Sequence, residues 1–118
     1  MHGCSLKYIE NDYQTEEICK IAVEQDGLSL KYVCNKFQTE EIRKIAVKQN
    51  GNALQYIKAE NQTEEICKLA VSQKGGAIRF VAKQTDEICK LAVQQNGNTL
   101  SFVKNQTEEI RKIAVKTN

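Results

Sequence analysis

The sequence has no proline and a single histidine, His2, in its 118 residues. Without proline, nothing inside the chain removes a backbone donor from a helix, so short helices are permitted wherever the pattern asks for them. With one histidine, at the start of the chain, no imidazole stands ready to pair with a nucleophile or to complete a zinc site of closely spaced ligands. No apolar run approaches the ~20 residues that span a bilayer. The opening Met1-His2-Gly3-Cys4-Ser5-Leu6-Lys7 also lacks the charged-then-apolar layout of a secretory signal. These absences predict a soluble, cytoplasmic protein with no membrane partner. An excess of one charge is missing too: 17 basic and 15 acidic residues leave a net charge of +2. Such a balance argues against a strongly basic nucleic-acid protein and against an acidic disordered tail.

Five cysteines are present, an odd number that suits a reducing compartment better than a disulfide framework. Cys19, Cys67 and Cys89 occupy one repeated position. Equivalent sites on stacked helix pairs lie roughly 9 to 10 Å apart, beyond the ~7 Å that a disulfide allows between Cα atoms. They read as small buried hydrophobes.

What the chain does have is repetition. Gln14-Thr15-Glu16-Glu17-Ile18 returns at 38–42, 62–66, 84–88 (with Asp86 for Glu) and 106–110, at spacings of 24, 24, 22 and 22 residues. A second phrase follows after a glycine each time: Leu30-Lys31-Tyr32-Val33, Leu54-Gln55-Tyr56-Ile57, Ile78-Arg79-Phe80-Val81 and Leu100-Ser101-Phe102-Val103, with an extra copy, Leu6-Lys7-Tyr8-Ile9, opening the chain. The two residues missing from the later units fall between Val81 and Gln84 and between Val103 and Gln106, in a single loop. The organisation is one repeat domain over 1–118: a lone second element at 3–10, repeats 14–37, 38–61, 62–83 and 84–105, and a lone first element at 106–118.

The first phrase, element A, predicts a helix from Glu16 to Gln25. Thr15 can cap it, acidic residues sit in its first turn where the helix dipole favours them, and Lys20 lies four residues after Glu16. Asp26-Gly27, Asn50-Gly51 and Asn96-Gly97 are expected to supply a left-handed stop. Ile18, Cys19, Ile21, Ala22 and Val23 cover an arc of about 200° at 100° per residue, too wide for one partner. Such a helix must touch its own second element and both neighbouring repeats, as in a solenoid. The second phrase, element B, is ambiguous: Leu30 and Tyr32 alternate like a strand, whereas Leu30 and Val33 are spaced like a helix. Ala53, Ala77 and Lys58 suit a helix of seven to nine residues. The leucine ladder and asparagine of a leucine-rich repeat are missing. The predicted fold is all-α, a right-handed α-solenoid of about five short helix pairs, with a leucine-rich-repeat-like β/α solenoid as the alternative.

Five Ala-Val pairs, Ala22-Val23, Ala46-Val47, Ala70-Val71, Ala92-Val93 and Ala114-Val115, each follow an isoleucine four residues before the alanine, and the first four lead to a glycine and then to a phrase like Leu-x-Tyr-Val. On these residues the chain resembles a family of short helical tandem repeats of undefined function, abundant in giant amoeba-infecting viruses. The resemblance implies a viral repeat protein in the host cytoplasm, and brings no catalytic residue, cofactor or ligand with it.

No residue is a candidate for catalysis, cofactor binding or metal ligation. Glu16 and Glu17 serve a helix start, and every glycine stands at a turn. The glutamines after Ala-Val (Gln25, Gln49, Gln73 and Gln95) fall by helical angle inside the apolar sector and predict an amide ladder at the end of A. Function is expected where repeats differ. The variable B positions, Lys7, Lys31, Gln55, Arg79 and Ser101 together with Lys58 and Lys104, form a stripe that leans basic and is the candidate surface for a protein partner. Nucleic acid is disfavoured, because Tyr32, Tyr56, Phe80 and Phe102 read as core residues and leave no ring for bases to stack on. A second expectation concerns the out-of-phase ends: Leu6 and Tyr8 at one, Ile110, Ile113 and Val115 at the other. Joined end to start they rebuild a repeat, so head-to-tail homo-oligomers are expected. The function predicted is that of a non-enzymatic scaffold for protein–protein interaction, with nucleic-acid binding as the alternative.

Overall fold

The computed structural model describes residues 15–117, and among these every regular element is helical. The A elements are α1 (Glu16–Gln25), α2 (Glu40–Gln49), α3 (Glu64–Gln73), α4 (Asp86–Gln95) and α5 (Glu108–Thr117). Between them lie the B elements, B1 (Gly27–Tyr32), B2 (Gly51–Tyr56), B3 (Gly75–Phe80) and B4 (Gly97–Phe102). Each A helix packs on the next A helix, and each B element on the next B element and on the A helices of its own and the following repeat. The result is a helical solenoid with extents of 50 × 25 × 17 Å. With no strand among the described residues, the leucine-rich alternative is excluded. The lone opening element at 3–10 lies outside them.

The start of A is as the sequence dictates. The hydroxyls of Thr15, Thr39, Thr63, Thr85 and Thr107 accept from the N–H groups of Ile18, Ile42, Ile66, Ile88 and Ile110 at 3.1 to 3.3 Å. Each such cap stabilises its helix by about 1 kcal/mol.

The end of A differs from expectation. No described residue has a positive φ, so the left-handed stop does not form. Asp26, Asn50, Lys74 and Asn96 are instead extended, with φ between −150 and −156°. The chain therefore leaves α1 and enters B1 through one residue that serves both elements. The Asp26 N–H donates to the Ala22 carbonyl, and its carboxylate accepts from the Leu28 N–H; Asn50 and Asn96 repeat the arrangement with Asn52 and Asn98.

B is also shorter and tighter than expected. Each copy is a six-residue 3₁₀ helix rather than an α-helix of seven to nine residues. The ambiguity in its pattern has this origin, because a repeat of three residues per turn lies between the strand period and the α period. Leu30 and Val33 eclipse each other and both are buried, as are Leu54 with Ile57 and Ile78 with Val81. The longer repeats carry an extra 3₁₀ turn in the loop before the next helix, Asn35–Phe37 and Ala59–Asn61, which the shorter repeats replace with a bend.

Ala22, Ala46, Ala70 and Ala92 are fully buried, each followed by a fully buried valine. Small residues at this point let the B elements approach the helix backbone. Cys19, Cys67 and Cys89 are buried in the same core. Burial raises all three thiols, that of Cys67 to about 11 with further help from Glu64.

Candidate interaction surface

Two sets of glutamines tie the repeats to one another. At the end of A, Gln49 Oε1 accepts the Gly27 N–H of the preceding repeat at 2.6 Å, and its Nε2 donates to the Gln25 carbonyl at 3.2 Å. Gln73 accepts from Gly51 at 2.6 Å, and Gln95 accepts from Gly75 while donating to the carbonyls of Ser72 and Gln73. The expected amide ladder exists, with a correction: Gln49, Gln73 and Gln95 are exposed residues that reach across the seam between repeats, rather than buried ones. At the start of A, Gln62 donates to the carbonyls of Ile57 and Phe80 and accepts from the Ala82 N–H and the Cys67 thiol. Gln84 makes three of these contacts in the same places, with Phe102, Lys104 and Cys89, and donates to the Ile78 carbonyl, one turn earlier in B than the equivalent of Ile57. In repeat two Arg43 takes the place of the cysteine and donates to Gln38 at 3.3 Å. Sequence reasoning missed this second set. Its signal was the glutamine recurring before every capping threonine.

The exposed face of the A helices is a lattice of ion pairs. Lys20 reaches Glu41, Lys44 reaches Glu65, Lys68 reaches Glu87 and Lys90 reaches Glu109, each at 2.6 to 3.2 Å into the following helix. Lys44 and Lys68 also pair with Glu40 and Glu64 one turn back. Hydrogen bonds to Glu64 and Glu87 raise the Lys68 ammonium, and Lys68 lowers the Glu87 carboxyl. Exposed pairs of this kind contribute little each. Their consequence here is that Lys20, Lys44, Lys68 and Lys90 find their carboxylates within the chain.

The B face differs. Lys31, Gln55, Arg79, Ser101, Lys58 and Lys104 are all exposed, while Lys7 lies outside the described residues. The aromatic residues beside them are less buried than the sequence suggested: Tyr32, Tyr56 and Phe80 are half-buried and Phe102 is 42% exposed. They form a column flanked by the two variable strings. Lys31 Nζ sits 4.9 Å from the Tyr32 ring centroid; the Arg79 guanidinium lies 4.8 Å from that of Phe80 and 6.0 Å from that of Phe102 in the next repeat. On the other flank, Tyr56 and Lys58 line one cleft with Asn35, Gln38, Arg43, Glu60 and Asn61. Gln55 and Ser101 are tied to their own turns, at the carbonyls of Asn52 and Asn98.

Of the residues expected at the ends, Leu6 and Tyr8 lie outside the described residues. Ile110 is fully buried, contrary to its expected role as an open contact, because α4 and B4 already cover it. Ile113 packs half-buried against the core, and Val115 is 73% exposed. Lys112 pairs only one turn back, with Glu108 at 3.5 Å, among the described residues.

Among the described residues no group of three histidine, cysteine or acidic side chains is placed to hold a metal ion, and no helix is long and apolar enough to cross a membrane. No curated protein and no solved structure matches the chain. One family model matches it twice in tandem, over residues 15–62 and 63–107, so that each match takes in two successive A–B pairs. The chain therefore belongs to the family described as a domain of unknown function, DUF4116.

Proposed function

We propose that the chain is a non-enzymatic scaffold that binds another protein through the face formed by its B elements. The observation that carries this reading is the contrast between the two faces. The first two turns of the A helices repeat nearly unchanged, and Lys20, Lys44, Lys68 and Lys90 pair there with glutamates of the following helix, whereas the B face changes from repeat to repeat and leaves its side chains exposed. A fixed scaffold with one varied surface is how stacked-repeat proteins present binding residues. The viral setting that the resemblance implies, and with it the host cytoplasm, belongs to the same proposal.

The test is affinity capture by the wild-type chain and by a variant reversed at Lys31, Lys58, Arg79 and Lys104 to glutamate. The reading expects a protein retained by the wild type and lost by the variant. Equal retention would remove the B face from the account, and capture of nucleic acid alone would favour the alternative of a nucleic-acid-binding repeat protein.

A second mode, self-association, is favoured by the outer face of α5, where Val115 is exposed and Lys112 makes no forward ion pair among the described residues. A second copy offers Glu17 in the register that Glu41, Glu65, Glu87 and Glu109 occupy for the preceding lysines.

A further inference from the structure

The near-neutral net charge conceals a segregation. Within residues 15–117 the A helices carry eleven acidic and nine basic residues, whereas the B elements and loops carry seven basic residues and two acidic ones, Asp26 and Glu60. Asp26 is committed to capping B1, which leaves Glu60 as the acidic side chain available on this side. Within this basic surface the cations alternate between the two flanks of the aromatic column. Repeats one and three place one before the aromatic residue, Lys31 and Arg79; repeats two and four place one two residues after it, Lys58 and Lys104. At these two positions each repeat thus contributes one cation, in a zigzag. Lys58, Arg79 and Lys104 form no ion pair among the described residues.

We infer that this surface binds an extended acidic protein segment whose carboxylates recur at about every third residue. The inference rests on the scaffold reading above and names the chemistry of its partner. The spacing follows from the architecture: repeats stack roughly 9 to 10 Å apart, and an extended chain advances about 3.3 Å per residue. The partner is protein rather than nucleic acid because cations already lie over three of the four rings a base would stack on, and the fourth, Tyr56, is half-buried. Lys31 lies over Tyr32, and Arg79 over Phe80 with reach to Phe102. A sequence pI near 8.2 is also below the pI above about 9 that marks nucleic-acid-binding domains. The Arg79 guanidinium, stacked on a ring, keeps its N–H groups for a carboxylate while the ring holds it in place. Charge complementarity of this kind selects partners and speeds encounter.

The probe is a fluorescent peptide of repeated Glu-Ser-Gly triplets, titrated by anisotropy at low ionic strength against the full chain. Controls are a peptide of the same composition with its glutamates in one block and a single-stranded oligonucleotide of equal charge. The spaced peptide is expected to bind more tightly than both. Reversal of Lys58 and Lys104 to glutamate should weaken it about tenfold, Glu60→Gln should strengthen it, and Lys20→Gln, on the other face, should leave it unchanged. Equal affinity for the blocked peptide, tighter binding of the oligonucleotide, or equal loss on Lys20→Gln overturns the inference, as does absence of binding. If capture of a protein still depends on the four cations while the spaced peptide fails, the acidic-segment inference falls and the scaffold reading stands.

Discussion

The amide oxygen of Gln49 accepts a hydrogen bond from the backbone N–H of Gly27, 22 residues earlier in the chain, at 2.6 Å. The glycine and the glutamine require each other. A Cβ at Gly27 would run into the carbonyl oxygen of Ala46 and crowd Gln49 Oε1, so only glycine lets the start of B come close enough for the bond to form. The same geometry recurs at Gly51 with Ala70 and Gln73, and at Gly75 with Ala92 and Gln95. The recurring glycine is there for space, not for a left-handed conformation.

Neighbouring glycines of the third repeat separate these two roles. Gly75→Ala would set a methyl group 2.7 Å from Gln95 Oε1 and 2.9 Å from the Ala92 carbonyl oxygen, whereas a Cβ at Gly76 meets nothing within 4 Å. Urea denaturation should show Gly75→Ala losing about 1 to 3 kcal/mol, as overpacking does. Gly76→Ala should gain about 0.4 to 1 kcal/mol by restricting the unfolded chain. Equal effects at the two positions would mean that the close approach is not what the glycine serves.

The thiol of Cys67 is pushed up to about 11 by burial and by the nearby Glu64. At about pH 8 only about one such thiol in a thousand is ionised, so alkylation of Cys67 in the folded chain should be far slower than in the unfolded one. The same shift has a consequence for stability. Below the ordinary thiol value of 9.0 both states hold the proton and the contribution is fully present. As the pH rises from there toward 11 the unfolded chain ionises first, and the contribution is lost. Cys67→Ala should therefore flatten the fall in denaturation midpoint over that range. A fall of unchanged slope would assign it to other groups.

Self-association is tested at Val115. Light scattering over a wide concentration range should show the parent chain growing in mass, and Val115→Glu holding it monomeric, because the substitution puts a charge on the apolar part of the α5 outer face. A parent that remains monomeric when concentrated contradicts the head-to-tail mode, and an oligomer indifferent to Val115→Glu places the contact elsewhere.

The repeat, the capped A helix and its wide apolar arc were legible because each is written in local pattern: Thr15 before Glu16, a buried alanine and valine together, a charged turn at the start. What was not legible depends on neighbours across the seam. Gln49 falls by angle in the apolar sector, and the sequence cannot say that its amide is aimed at Gly27 of another repeat. Tyr32 and Phe80 carry the apolar character of core residues, and only the stacking of B elements leaves their rings at the rim. Gln62 stands in the sequence only as part of a recurring phrase, because its partners, Phe80 and Ala82, lie 18 and 20 residues ahead. The cations of the B face vary in the sequence itself, but their alternation across the aromatic column has meaning only once that column is seen.

The central claim is that glutamine contacts hold the repeats together and leave Lys58, Arg79 and Lys104, which form no ion pair among the described residues, available to a partner. Urea denaturation of two double variants tests it directly. Gln49→Ala with Gln73→Ala leaves the N–H groups of Gly27 and Gly51 without their acceptors, and each such loss costs about 1 to 3 kcal/mol. Lys58→Ala with Lys104→Ala removes two exposed side chains and should change stability by no more than about 0.5 kcal/mol. The account predicts a midpoint that falls clearly for the glutamine pair and stays put for the lysine pair; a lysine pair as destabilising as the glutamine pair would contradict it.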